Sequence, residues 1–265
     1  LRCEQSGGDG IYIGAGDGIP ATNILIRDCT CDYNYRQGIS VTSAQSVHIE
    51  NCVLSNTQGN PPQAGIDLEC NFAGDTLSDI VVSNCVSQNN AGPGFVASLK
   101  NLTAATAPPV SVLFENCQVI DCGSWSLAAV NDADTPPTAI EFRNCSVQGG
   151  PMYGIWARWL SPPEAQLLFT NCVLTDTAND RRSPINFEMP HATALSYPGR
   201  IRLDNCTVYD SQNRHFITIF DIVGTTGVFD VHGTVNVYNS LDNPSKSRIP
   251  AAELPDLTAQ YFPWP

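Results

Sequence analysis

The apolar positions of this chain recur in short alternating runs. Val47-His48-Ile49-Glu50, Ile80-Val81-Val82, Ile140-Glu141-Phe142 and Ile201-Arg202-Leu203 each turn one residue in and the next out, the period of a half-buried strand. Such runs end on Asp or Asn followed by Cys: Asp28-Cys29, Asn51-Cys52, Asn84-Cys85, Asn116-Cys117, Asn144-Cys145, Asn171-Cys172 and Asn205-Cys206, at intervals of 23, 33, 32, 28, 27 and 34 residues. Two residues further on stand Cys31, Leu54, Ser87, Val119, Val147, Leu174 and Val208, a second column that points mostly inward. Another strand starts seven to thirteen residues after each Cys, counting from Cys3. Gly often opens it, as in Gly10-Ile11-Tyr12-Ile13, Gly38-Ile39-Ser40-Val41, Gly65-Ile66-Asp67-Leu68, Gly94-Phe95-Val96-Ala97 and Gly154-Ile155-Trp156-Ala157, while residues 126–130, 184–188 and 216–219 fill the slot without it.

Two or three short strands per unit, repeated with almost no helical pattern, predict an all-β fold: a single-stranded right-handed parallel β-helix of about eight coils. Asn suits the corner of such a coil, because it tolerates left-handed backbone geometry and its amide can pair with the coils above and below. A β-sandwich or propeller needs hairpin turns between strands, and Asp9-Gly10 and Asp17-Gly18 are not spaced for that. The β-helix is expected over residues 1–240, with further coils or another domain upstream. The Pro-rich segment 241–265 is expected to pack over the open solenoid end, where bare strand edges invite pairing. A contact within a homotrimer is the other reading of its aromatics, so monomer and trimer both stay open.

Composition changes this picture in two ways. Eleven cysteines first suggest disulfides, but the number is odd and most fall in the repeat columns, where Cys serves as a small buried apolar residue. Only Cys70 and Cys122 fall outside, leaving a disulfide or reactive thiol open there. The net charge of -13, with 26 acidic against 13 basic residues, argues against nucleic acid as a partner. No run has the apolar length of a membrane span.

From the start of each second strand to the next Cys the chain spends 14 to 23 residues, so nearly every coil carries extra residues just after that strand. Stacked on one edge, such loops wall an elongated groove suited to a polysaccharide or oligosaccharide. Its floor would be the outward positions of the second strand: Tyr12, Ser40, Asp67, Val96, Ala128, Trp156, Asn186 and Thr218, then Thr42, Glu69, Ser98, Val130, Arg158, Glu188 and Phe220. Aromatic, acidic and amide groups of this kind recognise sugars.

Asp67 and Glu69 are the strongest chemical signal. At i and i+2 of a strand they leave one face about 6 to 7 Å apart, compatible with the acid and base of glycoside hydrolysis. Arg36, expected about 4.8 Å away on the neighbouring coil, would orient a carboxylate or clamp an acidic sugar. Residues 59–64, the longest connection before a second strand, lead into this site and bring Gln63 to it; Lys100 follows the next second strand near Glu69. Tyr12 lies on the same floor. A second cluster, Trp156, Arg158, Trp159, Asn186, Glu188 and His191, would offer a sugar-stacking ring beside an ion pair; a structural ion pair capped by the ring is its other reading. Asp132 and Asp134 are weak candidates for Ca²⁺, and no other cofactor is expected. His48, on a different outward face, is expected to be solvated.

The coils carrying Arg36-Gln37-Gly38-Ile39-Ser40-Val41 and Gly65-Ile66-Asp67-Leu68-Glu69 resemble the right-handed β-helix proteins of the pectate-lyase-like superfamily, over about residues 1 to 240. The resemblance implies a polysaccharide-active protein, acting outside the cell or in the periplasm, with its site on the outer face of one parallel sheet; Asp67, Glu69 and Arg36 occupy that position here. Family members include hydrolases, lyases, epimerases, adhesins and tailspikes. The Asp-Asp and Gly-His-Gly motifs of polygalacturonases are absent, and a lyase would want a Lys, Arg or His base where this chain has only two Lys, Lys100 and Lys246. A glycoside hydrolase is the first expectation, a lyase or epimerase the second, and a non-catalytic glycan-binding, adhesin or tailspike-like module the third.

Overall fold

A computed structural model describes residues 1–15, 18–131, 135–159, 165–178, 182–189, 200–212, 214–221, 230–239, 254 and 256–264. Its strands stack in parallel on three faces. The Gly-led face is β2 (Ile11–Ile13), β5 (Ile39–Val41), β8 (Ile66–Glu69), β11 (Phe95–Ser98), β14 (Leu127–Asn131), β17 (Ile155–Trp159), β20 (Ile185–Met189) and β22 (Ile217–Asp221), hydrogen-bonded in that order. The long-strand face is β3 (Ala21–Arg27), β6 (Ala44–Glu50), β9 (Leu77–Ser83), β12 (Val110–Glu115), β15 (Thr138–Arg143) and β18 (Gln166–Thr170). The short-strand face is β1 (Arg2–Glu4), β4 (Thr30–Asp32), β7 (Val53–Ser55), β10 (Val86–Gln88), β13 (Gln118–Ile120), β16 (Ser146–Gln148) and β19 (Val173–Thr175). Then β21 (Arg200–Asp210) runs through the corner as one 11-residue strand, pairing with both β18 and β19, followed by β23 (Val231–Asn239) and β24 (Leu257–Pro263). This is the expected parallel β-helix. The Pro-rich segment contributes β24, which lies parallel to β23 as a further sheet strand.

The corner between the long and short strands explains the Asn-Cys repeat. Asp28, Asn51, Asn84, Asn116, Asn144, Asn171 and Asn205 all have φ between 53° and 55°, a left-handed geometry that a branched side chain would strain and that Asn accepts. Their amides form a ladder, with Asn144 donating to Asn116 at 3.1 Å, Asn171 to Asn144 at 3.1 Å and Asn205 to Asn171 at 2.9 Å. The Cys that follows is buried in every coil. Its thiol is small enough for the corner and is a weak donor where carbonyls crowd: Cys117 Sγ faces Glu115 O at 3.3 Å and, one coil back, Val82 O at 3.5 Å.

All eleven cysteines are free thiols. Cys3 lies opposite Cys31 in the register and so belongs to the inward column two residues beyond the corner, not to the corner column from which the spacing was counted. Cys70 closes β8 on its inward side, and burial first of all pushes its thiol well above the usual range. Cys122 sits just past β13, level with Asn90 of the coil before. It touches the Ser87 hydroxyl at 3.6 Å, and burial raises it too. Neither has the electropositive, open setting of a reactive thiol.

The Gly that opens the second strand is required by the stacking distance. A Cβ at Gly10 would lie 2.7 Å from the Gly38 carbonyl oxygen, at Gly38 2.5 Å from that of Gly65, and at Gly65 2.7 Å from that of Gly94. Inside, Phe114 stacks on Phe142 at 4.6 Å and Phe142 on Phe169 at 5.2 Å, continuing the core from coil to coil.

Candidate functional site

The register aligns the outward columns of the Gly-led face as the alternation predicts: Tyr12, Ser40, Asp67, Val96, Ala128, Trp156, Asn186 and Thr218 are successive partners, and Glu69, Ser98, Val130, Arg158 and Glu188 are too. The face is nevertheless mostly covered. Residues of the preceding turns fold over part of it, Gln37 onto Asp67 and Trp125 onto Trp156; Asp67 and Asn186 are each only 3% exposed although both point away from the core.

Asp67 is held by Gln37, the last residue but one before β5. Gln37 Nε2 donates to Asp67 Oδ2 at 2.6 Å, and its Oε1 accepts from the Ala64 amide at 2.8 Å, tying the end of the 59–64 connection to the carboxyl group. Burial first, then the charge of Glu69, raises Asp67 from its ordinary 3.8 to about 7; Arg36 and Lys100 act in the lowering direction and Asp9 in the raising one. Glu69, two residues on, turns the other way along the solenoid. Its Oε1 meets Lys100 Nζ of the following coil at 2.8 Å. One strand therefore carries two carboxyl groups in contrasting settings, one enclosed beside a neutral amide and one at the surface beside an ammonium group.

Arg36 reaches back one coil, with Nη1 3.6 Å from Asp9 Oδ2, and its charge also acts on Asp67. The repeat pattern marks neither partner: Asp9 stands in the sequence only as part of an Asp-Gly pair, and Gln37 lies between the strand columns. The signal for Gln37 was its position beside Arg36, since neighbours at a turn can reach to opposite sides. Tyr12 is 57% exposed, with its hydroxyl 3.1 Å from Thr42 Oγ1, and remains on the open floor. Gln63 braces its own turn, donating to the Gly59 carbonyl at 3.0 Å with φ of 60°.

In the second cluster Trp156 is a packing residue and not an open platform. It is 4% exposed, stacks under Trp125 at 3.9 Å between ring centroids, and donates from Nε1 to Glu188 Oε1 at 2.9 Å. With Ala64, Val96 and Ala128 it builds a small apolar layer on the outer side of the sheet, flanked by Trp125, Val130 and Tyr153. Asn186 Nδ2 lies 3.5 Å from the same Glu188 oxygen, and the register sets Arg158 beside Glu188. His191, Asp132 and Asp134 lie outside the described residues. Among the described residues no cluster of His, Cys, Asp and Glu is arranged to hold a metal ion, and no helix is long and apolar enough to cross a membrane. His48 is exposed on the long-strand face.

Residues 2–107 match a family model described as right handed beta helix region. No curated protein matches the chain. Among solved structures it is similar to the tailspike protein gp49 of Acinetobacter baumannii bacteriophage Fri1, a capsular polysaccharide depolymerase, with 17% identity and a TM-score of 0.41. The likeness covers 92% of this chain but 39% of the tailspike chain.

Proposed function

We propose that this β-helix acts on polysaccharide and hydrolyses glycosidic bonds, with Asp67 as general acid and Glu69 as general base, on glycans met outside the cell or in the periplasm. The observation that carries the reading is the contrast between these two carboxyl groups on one strand face. An acid raised to about 7 keeps a proton to give to a leaving oxygen at neutral pH, while Glu69, two residues away, lies nearer the surface beside Lys100; two carboxyl groups in contrasting settings suit acid and base roles.

Asp67 leans toward Gln37 of the preceding coil and Glu69 toward Lys100 of the following one. The carboxyl groups thus diverge from a backbone spacing of about 6.7 Å, within the roughly 6.5 to 9.5 Å that leaves room for a water and gives inversion at the anomeric carbon. Lys100 is paired with Glu69, which disfavours it as the neutral base a lyase would need.

A panel of polysaccharides tests this. New reducing ends are expected, lost by about 10²-fold or more in Asp67→Asn and in Glu69→Gln. Ultraviolet-absorbing unsaturated ends would assign lyase action instead, and binding without any new ends would assign a glycan-binding module.

A further inference from the structure

Asp9 stands out as the least satisfied charge near the site. Its side chain is 6% exposed, Oδ1 is buried without a hydrogen-bond partner among the described residues, and Oδ2 meets Arg36 at 3.6 Å, beyond hydrogen-bond length. Burying a carboxylate with so little compensation opposes folding, and a group left this way calls for another explanation.

The backbone supplies one. Gly10 N donates to Gln37 O and Arg36 N to Gly8 O, each at 3.0 Å, so residues 8–10 run beside 36–38 of the next coil. From that turn two consecutive side chains part: Gln37 goes forward to Asp67, and Arg36 goes back to Asp9. The neutral amide meets the acid and the cation is drawn off. Around Asp67 the charged groups are Glu69 on its own strand, Arg36 before β5, Asp9 before β2 and Lys100 after β11. Both cations are engaged by a carboxylate other than Asp67, Lys100 by Glu69 and Arg36 by Asp9.

We propose that Asp9 is a positioning residue for Asp67: by holding Arg36 one coil away, it leaves the Asp67 carboxyl to the amide of Gln37 and keeps its proton in place. This rests on the reading of Asp67 as the acid. Asp9→Asn would remove a nearby negative charge and release the guanidinium, and both changes favour ionised Asp67.

The test is a carboxyl-carbon NMR titration of Asp67 in the whole chain, which needs no substrate. In Asp9→Asn the Asp67 midpoint is expected to fall by about 1 pH unit or more, the effect of a cation gained within reach. In the double variant Asp9→Asn with Arg36→Gln most of that fall should be recovered, since no cation is released; a merely structural role for Asp9 would not be rescued this way. Arg36→Gln alone should leave the midpoint at or above that of the parent, and this arm stands even if Asp9→Asn does not fold. An unmoved midpoint in Asp9→Asn, a double variant as low as the single, or a fall in Arg36→Gln would each overturn the proposal. If the midpoints move as expected but no polysaccharide is cleaved, the hydrolase reading fails and the positioning by Asp9 stands. If cleavage occurs, its alkaline limb should move down with the midpoint in Asp9→Asn.

Discussion

Replacing Asp67 by Asn should change the pH dependence of stability by an amount the structure fixes. Asn keeps the size and an oxygen to accept from Gln37 Nε2, so the hydrogen bond at 2.6 Å survives. What disappears is a titration raised from 3.8 to about 7. Below about pH 4 folded and unfolded chains both hold the proton, and the group contributes nothing to pH dependence. As pH rises through the window between the two values, the unfolded chain releases its proton while the folded chain retains it, so stability falls. Above about pH 7 the loss levels off, at on the order of 4 kcal/mol for a difference of about three pH units at 1.36 kcal/mol each. Urea unfolding of parent and Asp67→Asn across this range, taken as the difference between the two, cancels the other carboxylates. The parent should lose about 4 kcal/mol relative to the variant between about pH 4 and pH 8. A flat difference would refute the enclosure argument, and a difference rising with pH would mean that Asp67 is ion-paired, as the Arg36 spacing first suggested.

Four further outcomes are expected. Gly65→Ala should cost about 3 kcal/mol or more, because the new Cβ meets the Gly94 carbonyl; Gly8→Ala, with nothing within 4 Å, should unfold like the parent. Asn171→Ala should cost about 1 to 2 kcal/mol for the left-handed corner, and Asn171→Gly less, as judged by thermal melts. Trp156→Phe should cost about 1 to 3 kcal/mol in denaturant unfolding by removing the shorter of the two hydrogen bonds to Glu188 Oε1, with KM unchanged; a raised KM at unchanged stability would return Trp156 to the substrate. Thiol reagent should modify Cys3 alone in the native protein and the ten buried cysteines only after denaturation.

Alternation and spacing made the fold legible, because a coil repeats its physical problem in every turn. The corner needs a residue that accepts φ near 54° and a small one behind it, and Asn-Cys answers both. Register along the Gly-led face was legible for the same reason, so Asp67 and Glu69 were correctly set on one outward face. Exposure was not legible. Alternation says which side of a strand a residue leaves but not whether the preceding turn folds over that side, and Trp125 covering Trp156 is one such case. Side-chain reach was also hidden: Arg36 and Gln37 are consecutive, yet one reaches back and the other forward. That choice depends on Asp9, 27 residues earlier in the chain, whose Asp-Gly context reads as an ordinary turn.

The unbroken β21 makes one stretch of the solenoid yield as a unit. Where β18 and β19 are separate strands, a coil can loosen on one face while its neighbours hold the other. At β21 the two faces share one strand, and β23 follows it across the same corner, so neither can loosen alone. Stacked repeats share strength only with their nearest neighbours, so this stiffening stays near β21 and β23 and does not reach Asp67, on the third strand of its face. A glycan lying across β5, β8 and β11 would act as a staple for those coils, so occupancy of the site would be felt there as resistance to local opening well before it was felt at β21.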